Sequence, residues 1–300
     1  MNVLFCGRFD AAEREPWWQA LRAAAPEHRW WRDDEAFDRD AIEAAVVANP
    51  APDALARLPK LRLVQSLWAG VDRLLADATL PADVPIARMV DPAMSAAMAE
   101  TALWAVLSLH RRFFDYADQQ RDARWLQHEQ RRADEVSVLV LGAGHMGQAV
   151  AQRLAAQGYR VTTWRASDAA PLAPLLAMAE IAISLLPLTP ATRGLLDARC
   201  FAALPQGASI VNLARGAQVV DADLVAALDA GHLRRAVLDV FAVEPLPAEH
   251  PFWRHPKVTL LPHVAALTDA RSASRVVAAN LRALARGEPV PHLVDRARGY

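Results

Sequence analysis

Cysteine is nearly absent: Cys6 and Cys200 are the only two in 300 residues, far apart and in no Cys-x-x-Cys or Cys/His cluster. That excludes a disulfide framework and fits a reduced compartment, so a cytoplasmic location is expected. Lysine is as scarce, with Lys60 and Lys257 alone and neither in a motif, which argues against Schiff-base chemistry. Charge of one sign does not accumulate either. The formal net charge is -1, with Arg scattered among Asp and Glu, and there is no basic stripe for nucleic acid and no polybasic membrane patch. Long apolar runs are missing too. The nearest, Pro92 to His110, carries Glu100 and sets Leu103, Trp104 and Leu107 at helical spacing, so a buried helix is expected rather than a membrane span. The start, MNVLFCGRFD, lacks the basic region and apolar core of a signal peptide and reads as a first strand. No internal repeat or low-complexity tract occurs.

Several chemistries lack their residues. His128-Glu129 has no second His to complete a zinc helix, and His250, His255 and His263 stand in a Pro-punctuated stretch without Cys or paired carboxylates, so no metal site is expected. Ser95, Ser184 and Ser209 have no nucleophile-elbow glycines. Trp17-Trp18 and Trp30-Trp31 read as core or packing residues rather than a stacking platform.

What is present is a βα alternation. Short apolar runs recur at Ser137–Leu141, Arg160–Trp164, Ile181–Leu185, Ser209–Leu213, Ala236–Val240 and Val258–Leu261, with helical patterns between most of them. Nearly continuous apolar strands of this kind predict a parallel sheet covered on both faces, a doubly wound domain over residues 98–266. A weaker βα pattern precedes it, with candidate strands at Asn2–Cys6, Ala45–Val47, Leu63–Leu67 and Pro85–Arg88. It predicts a second, smaller α/β domain. An amphipathic segment from Met94 to about Gln120 would cross between the two, and a last helix, Asp269 to Arg286, would return to the first, making the smaller domain discontinuous over 1–97 and 267–300.

The strand SVLVL runs into Gly142-Ala143-Gly144-His145-Met146-Gly147 and then a helical run. The first glycine permits a tight turn, the second lets backbone approach a pyrophosphate, and the third lets helix and strand pack closely. A second strand of such a unit usually ends on Asp or Glu, which binds the ribose hydroxyls of NAD. Here VTTWRAS puts Arg165 at that place, which points to the extra phosphate of NADP, with Ser167 as a further donor; Asp168 from a shifted loop is the alternative ribose ligand. Three more polar residues follow strands: Arg215 after SIVNL, Glu244 after AVLDV and His263 after VTLL. The carboxyl ends of parallel strands share one edge, so all three would face the cleft of the glycine turn. A cation for a carboxylate, an imidazole and a carboxylate to orient it make a set for proton and hydride transfer.

The motifs LGAGHMG, SLLPLTPATRGLL, IVNLARGAQVVD, LDVFAVEPLP and LLPHVAA, in this order, resemble those of the D-isomer-specific 2-hydroxyacid dehydrogenases, over nearly the whole chain. SLWAGVD, PHVAALT and the terminal VDRARGY are most similar to the glyoxylate/hydroxypyruvate reductase A branch. The resemblance implies a Rossmann-type domain with a flavodoxin-like second domain, and the reduction of small 2-oxo acids. It implies that Arg215 binds the substrate carboxylate and polarises the carbonyl, that His263 gives the proton, and that Glu244 orients His263 and favours its charged form. The backbone of Ala69 and Gly70 would take the substrate carboxylate, with Trp68 shaping the pocket. Cofactor contacts are implied at Gly142, Gly144, His145, Met146, Gly147, Trp164, Arg165, Ser167, Leu186, Pro187, Thr192, Leu213, Ala214, Asp239 and His263, with Asp239 meeting the nicotinamide amide. NADP(H) is the preferred cofactor on this reading and NAD(H) the second choice. Family habit further implies a homodimer, its contact built by the helix near Glu100–Gln120 and an arm from Arg121 to Asp134 that carries Trp125. Gln replaces Glu244 in the formate dehydrogenases of the superfamily, which disfavours that activity. Two other functions stay open at this point: a dehydrogenase of bulkier 2-hydroxy acids, and a cofactor-sensing binding protein on the same fold.

Overall fold

The computed structural model describes residues 1–167 and 171–300; Asp168 lies outside the described residues. The chain divides into two compact units, Met1–Ala93 with Thr268–Tyr300, and Met94–Leu267. The divisions expected at 97/98 and 266/267 therefore fall at 93/94 and 267/268.

In the first unit, strands β1 (Asn2–Gly7), β2 (Arg29–Arg32), β3 (Ala44–Ala48), β4 (Leu63–Ser66) and β5 (Ile86–Ala87) form one sheet in the order β2-β1-β3-β4-β5. All pairs are parallel, and the order is the flavodoxin-like one. Strands β3 and β4 are buried along their whole length and β1 along all but its first residue; β3 is accordingly apolar throughout, whereas β4 ends on buried Gln65 and Ser66, whose side chains are hydrogen-bonded. Strand β2 was not among the expected strands. Its sequence, RWWR, has no alternation and carries charge at both ends, because as an edge strand it pairs on one side only, with Asn2 opposite Arg29. The last helix, Ala270–Arg286, is capped by the Asp269 side chain and packs on the helix Ala11–Ala24 of this unit. Buried Asn280 donates to the Gln65 side chain of β4 at 2.6 Å, and Arg282 donates to Glu27 at 2.6 Å.

The second unit holds β6 (Ser137–Leu141), β7 (Arg160–Trp164), β8 (Ile181–Ser184), β9 (Ala208–Asn212), β10 (Leu233–Leu238) and β11 (Val258–Leu260). Their order is β11-β10-β9-β8-β6-β7, all parallel, a Rossmann-type sheet. Leu139 and Leu141 enter one core and Val138 and Val140 another, so both faces of β6 are covered. Strand β6 lies between β7 and β8, so its carboxyl end is the topological switch point.

Two features depart from the sequence reading. The amphipathic segment Met94–Gln120 is two helices, Pro92–His110 and Phe113–Arg121, broken where Arg112 turns left-handed with φ 60°. Helical periodicity continues across the break, which hides it. The second helix is turned onto the start of β10, where Asp115 accepts from Arg234 and Arg235, each at 3.2 Å, and Asp118 also pairs with Arg235. Strand β10 accordingly begins at Leu233 rather than Ala236: Arg235 is buried within it, which a sequence pattern reads as a loop. Pro92–His110 is long and apolar enough to cross a membrane, but it carries Met98, Ala102, Val106 and Leu109 into the core against Val138 and Val140.

Candidate active site

The glycine turn is set by three different requirements. Gly142 has φ 104°, and a Cβ there would stand 2.6 Å from the Leu185 carbonyl oxygen. A Cβ on Gly147 would reach 1.7 Å from the Gly142 carbonyl oxygen, so helix and strand meet only because neither residue has a side chain. Gly144 differs, because a Cβ there meets no protein atom within 4 Å and its φ of -74° suits any residue. Protein packing therefore gives no reason for glycine at 144, whereas a ligand approaching the backbone does. Gly144 is the N-cap of helix His145–Ala156 and offers no side-chain cap, and the positive end of the helix dipole there favours an anion.

Arg165 follows the last residue of β7, which is paired with the last residue of β6. Its guanidinium donates to the Ala143 carbonyl from Nε at 3.2 Å and from Nη2 at 2.8 Å, so the cation lies across the glycine turn. Trp164 is buried, its carbonyl accepting from the Gly142 N–H at 2.7 Å, and Ser167 is exposed. His145 is exposed and Met146 half-buried at the start of the helix. These groups fit a phosphorylated dinucleotide: a helix start for the pyrophosphate and a cation at the ribose end.

The loops after β9, β10 and β11 bring the catalytic candidates of this unit to the same sheet edge. After β9, buried Asn212 donates to the Arg215 carbonyl at 3.0 Å and accepts from the Ala214 N–H at 3.1 Å, which bends the chain at Arg215. Gly216 lies so close to the next loop that a Cβ would be 1.8 Å from the Phe241 carbonyl carbon. After β10, Asp239 is 1% exposed and accepts from the N–H groups of Val264 at 2.7 Å and Ala265 at 3.0 Å. Burial pushes its carboxyl above the usual carboxylate range, against the pull of those two N–H groups. The Asp239 carbonyl also accepts from His263 N–H at 2.8 Å, holding His263 in the left-handed region with φ 57°. A non-glycine residue there is strained by about 1 kcal/mol or more, and the Asp239 clamp offsets it.

His263 Nδ1 is 2.8 Å from Glu244 Oε2, and the second oxygen of Glu244 accepts from Phe241 N–H at 2.9 Å. A carboxylate accepts only, so it fixes the proton on Nδ1 and leaves Nε2 as the nitrogen that exchanges one. His263 Nε2 has no partner among the described residues, and half of the side chain is exposed. Arg215 donates from Nη1 to the Ala214 carbonyl at 2.7 Å.

Comparison with known proteins follows the same lines. The family model of the D-isomer specific 2-hydroxyacid dehydrogenase, NAD binding domain, matches residues 103–265. Glyoxylate/hydroxypyruvate reductase A of Serratia proteamaculans is 40% identical, with 100% of each chain covered. The chain belongs to the D-isomer-specific 2-hydroxyacid dehydrogenases. Among solved members of the family, the Xanthobacter autotrophicus Py2 dehydrogenase in complex with NADPH and MES superposes with a TM-score of 0.93 at 38% identity, covering 100% of this chain and 99% of that one. The NADPH-dependent glyoxylate/hydroxypyruvate reductase of Sinorhizobium meliloti, in complex with NADP and sulfate, has a TM-score of 0.93 at 36% identity over 100% and 99% of the two chains.

Some contacts in this dehydrogenase escape sequence reading. Gln218, fully buried, donates to the carbonyls of Leu186 at 2.8 Å and Pro187 at 3.2 Å and accepts from Ser184 at 2.7 Å, joining the loop after β8 to the loop of Arg215. Thr192, 1% exposed, uses its hydroxyl on the Pro187 carbonyl at 2.6 Å, so it shapes that loop from within. Leu186, Leu213 and Ala214 are buried, which leaves their backbones rather than their side chains for any cofactor. In the first unit, Ser66 Oγ holds the turn of SLWAGVD through the Trp68 N–H and carbonyl, each at 3.0 Å. The N–H groups of Ala69 and Gly70 have no acceptor among the described residues. Both thiols are inert: burial pushes Cys6 and Cys200 up to about 12.

Proposed function

We propose that this chain reduces glyoxylate and hydroxypyruvate to their 2-hydroxy acids with NADPH. The observation that carries the reading is the His263–Glu244 pair at 2.8 Å, on the sheet edge where Gly144 leaves open space and Arg165 lies across the turn. The two NADP-type complexes of relatives at 36% and 38% identity support the same cofactor.

Bound NADPH supplies the hydride. Arg215 presents a planar fork to the substrate carboxylate and polarises the adjacent carbonyl, a geometry that a lysine point charge does not reproduce. In the first unit, the amides of Ala69 and Gly70 donate to a substrate carboxylate, and Trp68 limits the space beside them. His263 delivers a proton from Nε2 to the carbonyl oxygen as the C–H bond forms, and Glu244 stabilises the imidazolium before transfer and keeps the ring in register. Asp239 sets the His263 loop and, through a second lone pair, accepts from the nicotinamide amide. The start of helix His145–Ala156 holds the pyrophosphate, and Arg165 with Ser167 takes the ribose phosphate.

The enzyme acts in the cytoplasm as a homodimer. The support for a dimer is an apolar surface: Trp125 is 95% exposed and Leu126, Phe113 and Trp104 are exposed near it in sequence. The arm that carries Trp125 is itself held, His128 bonding to Gln119 at 2.6 Å and to Arg112 at 3.0 Å, so the tryptophan is displayed on an ordered segment. Loss of NADPH absorbance on adding glyoxylate tests the activity; binding of NADPH without turnover of any 2-oxo acid would leave a cofactor-sensing protein instead. Sedimentation at micromolar concentration should give a dimer mass, and a monomer would refute the assembly.

A further inference from the structure

The first unit holds a cavity of about 440 Å³ at the carboxyl ends of its central strands, the edge where open α/β sheets take ligands. Close backbone approach builds it. A Cβ on Gly7 would stand 2.6 Å from the Ala48 carbonyl oxygen, and the Arg8 N–H donates to that oxygen at 3.0 Å. Arg8 and Asn49, the latter left-handed with φ 44°, therefore leave β1 and β3 side by side. Trp68 forms another wall, its ring edge-on to buried Trp17 at 6.3 Å, and Arg73 lines the cavity from the short helix Asp72–Leu75. Cavities of this size hold ligands well beyond a two-carbon acid.

The lining carries two cations and one carboxylate. Arg8 and Arg73 are both exposed, and neither side chain has a hydrogen bond or ion pair among the described residues. The carboxylate in the lining, Asp77, already accepts from the Thr79 N–H at 2.9 Å and the Thr79 hydroxyl at 2.6 Å. Two guanidinium forks without a partner among the described residues, beside one carboxylate, leave the lining net positive, which favours an anion, and the fork matches a planar carboxylate.

We infer that Arg8 and Arg73 receive a second carboxylate at the far end of the substrate, so that the enzyme also takes short 2-oxo dicarboxylates. The inference rests on the function proposed above, in which the Ala69 and Gly70 amides hold the carboxylate beside the carbonyl. Trp68 directly precedes those amides and lines the cavity, so a substrate anchored there extends its other end toward the two arginines.

The test compares each dicarboxylate with a monoacid of matched length: oxaloacetate against 2-oxobutyrate, and 2-oxoglutarate against 2-oxopentanoate, with NADPH. Wild type should favour the dicarboxylate in at least one pair. Arg8→Gln and Arg73→Gln should each lower that ratio of kcat/KM by about threefold to tenfold, at the modest end for charge-assisted contacts because the rim is open to water. The preference should also weaken with added salt. No preference in wild type, or a ratio unchanged in both variants, overturns the inference even where glyoxylate is reduced. Should glyoxylate not be reduced, the proposed function fails first, and calorimetric binding of inert succinate against butyrate decides the subsite: equal affinities, or succinate binding unaltered in the double variant, would exclude it.

Discussion

Replacing Arg165 by aspartate should reverse the cofactor preference. The guanidinium is anchored on the Ala143 carbonyl by Nε and Nη2, at 3.2 and 2.8 Å, and a guanidinium carries five N–H donors, so that anchor and a phosphate contact are compatible. A charge-assisted contact contributes about 1.5–3 kcal/mol, and the exposure of Arg165 sets the expectation near the lower value, about tenfold. Aspartate adds repulsion of the phosphate and hydrogen bonds to the ribose hydroxyls of NADH, which brings the total to roughly one to two decades in the NADPH/NADH ratio of kcat/KM. The substitution also removes the tie to Ala143, which loosens the turn for both cofactors alike. That common loss appears in the NADH rate and cancels in the ratio, and Arg165→Gln, neutral at the same place, should fall between. The assay is initial-rate kinetics with glyoxylate and each reduced cofactor. A wild-type preference for NADH, or a ratio unmoved by Arg165→Asp, would refute the assignment of Arg165 to the phosphate.

Three other perturbations test different parts of the molecule. His263→Gln should lower kcat by about 10²–10⁴-fold with NADPH affinity nearly unchanged, because proton delivery is lost and the pyrophosphate site is untouched; comparable kcat would remove His263 from the chemistry. Gly216→Ala forces a Cβ to within 1.8 Å of the Phe241 backbone, and backbone must move, so destabilisation of about 3 kcal/mol and a Tm lower by about 6–12 °C are expected, with KM for glyoxylate raised as Arg215 shifts; an unchanged Tm would show that the two loops do not meet. His28 is buried with neither ring nitrogen hydrogen-bonded, and burial, helped by the nearby N-terminal ammonium and Arg282 and opposed by Glu27 and Glu43, holds its pKa below the ordinary histidine value. The unfolded chain takes the proton first as pH falls through about 6.5, so wild type loses stability below that pH until the folded ring also protonates, where the loss levels off without being recovered. His28→Leu should therefore gain on wild type in unfolding midpoint between about pH 7.5 and pH 5.5, and a constant difference across that range would argue against a neutral buried ring.

The chain of inference from sequence was strongest where neighbours along the chain decide the outcome. Unbroken apolar runs such as SVLVL specify a strand buried on both faces, and β6, β7, β8, β9 and β11 lie within one or two residues of their expected bounds. The glycine turn was legible because two of its three glycines answer local steric demands, and Arg165, Arg215, Glu244 and His263 stood out as polar residues just past apolar strands. Where a charged strand is stabilised by a distant partner, the pattern failed. Strand β2 has charged ends and pairs on one side only, and β10 hides Arg235, buried against Asp115 and Asp118 more than a hundred residues away.

The sequence by itself determined the parallel α/β class, the family and the residue types available for hydride and proton transfer, since strand periodicity and motif spacing are properties of adjacent residues. Only the tertiary structure decided which atoms meet. It set His263 Nδ1 on Glu244, gave Asp239 the task of holding the His263 loop, required glycine at 216 because Phe241 lies against it, and joined the Leu186 and Arg215 loops through buried Gln218. These contacts link segments that are remote in the chain, and they arise from the lateral order of strands and the close packing of the loops beyond them, neither of which is written in local periodicity.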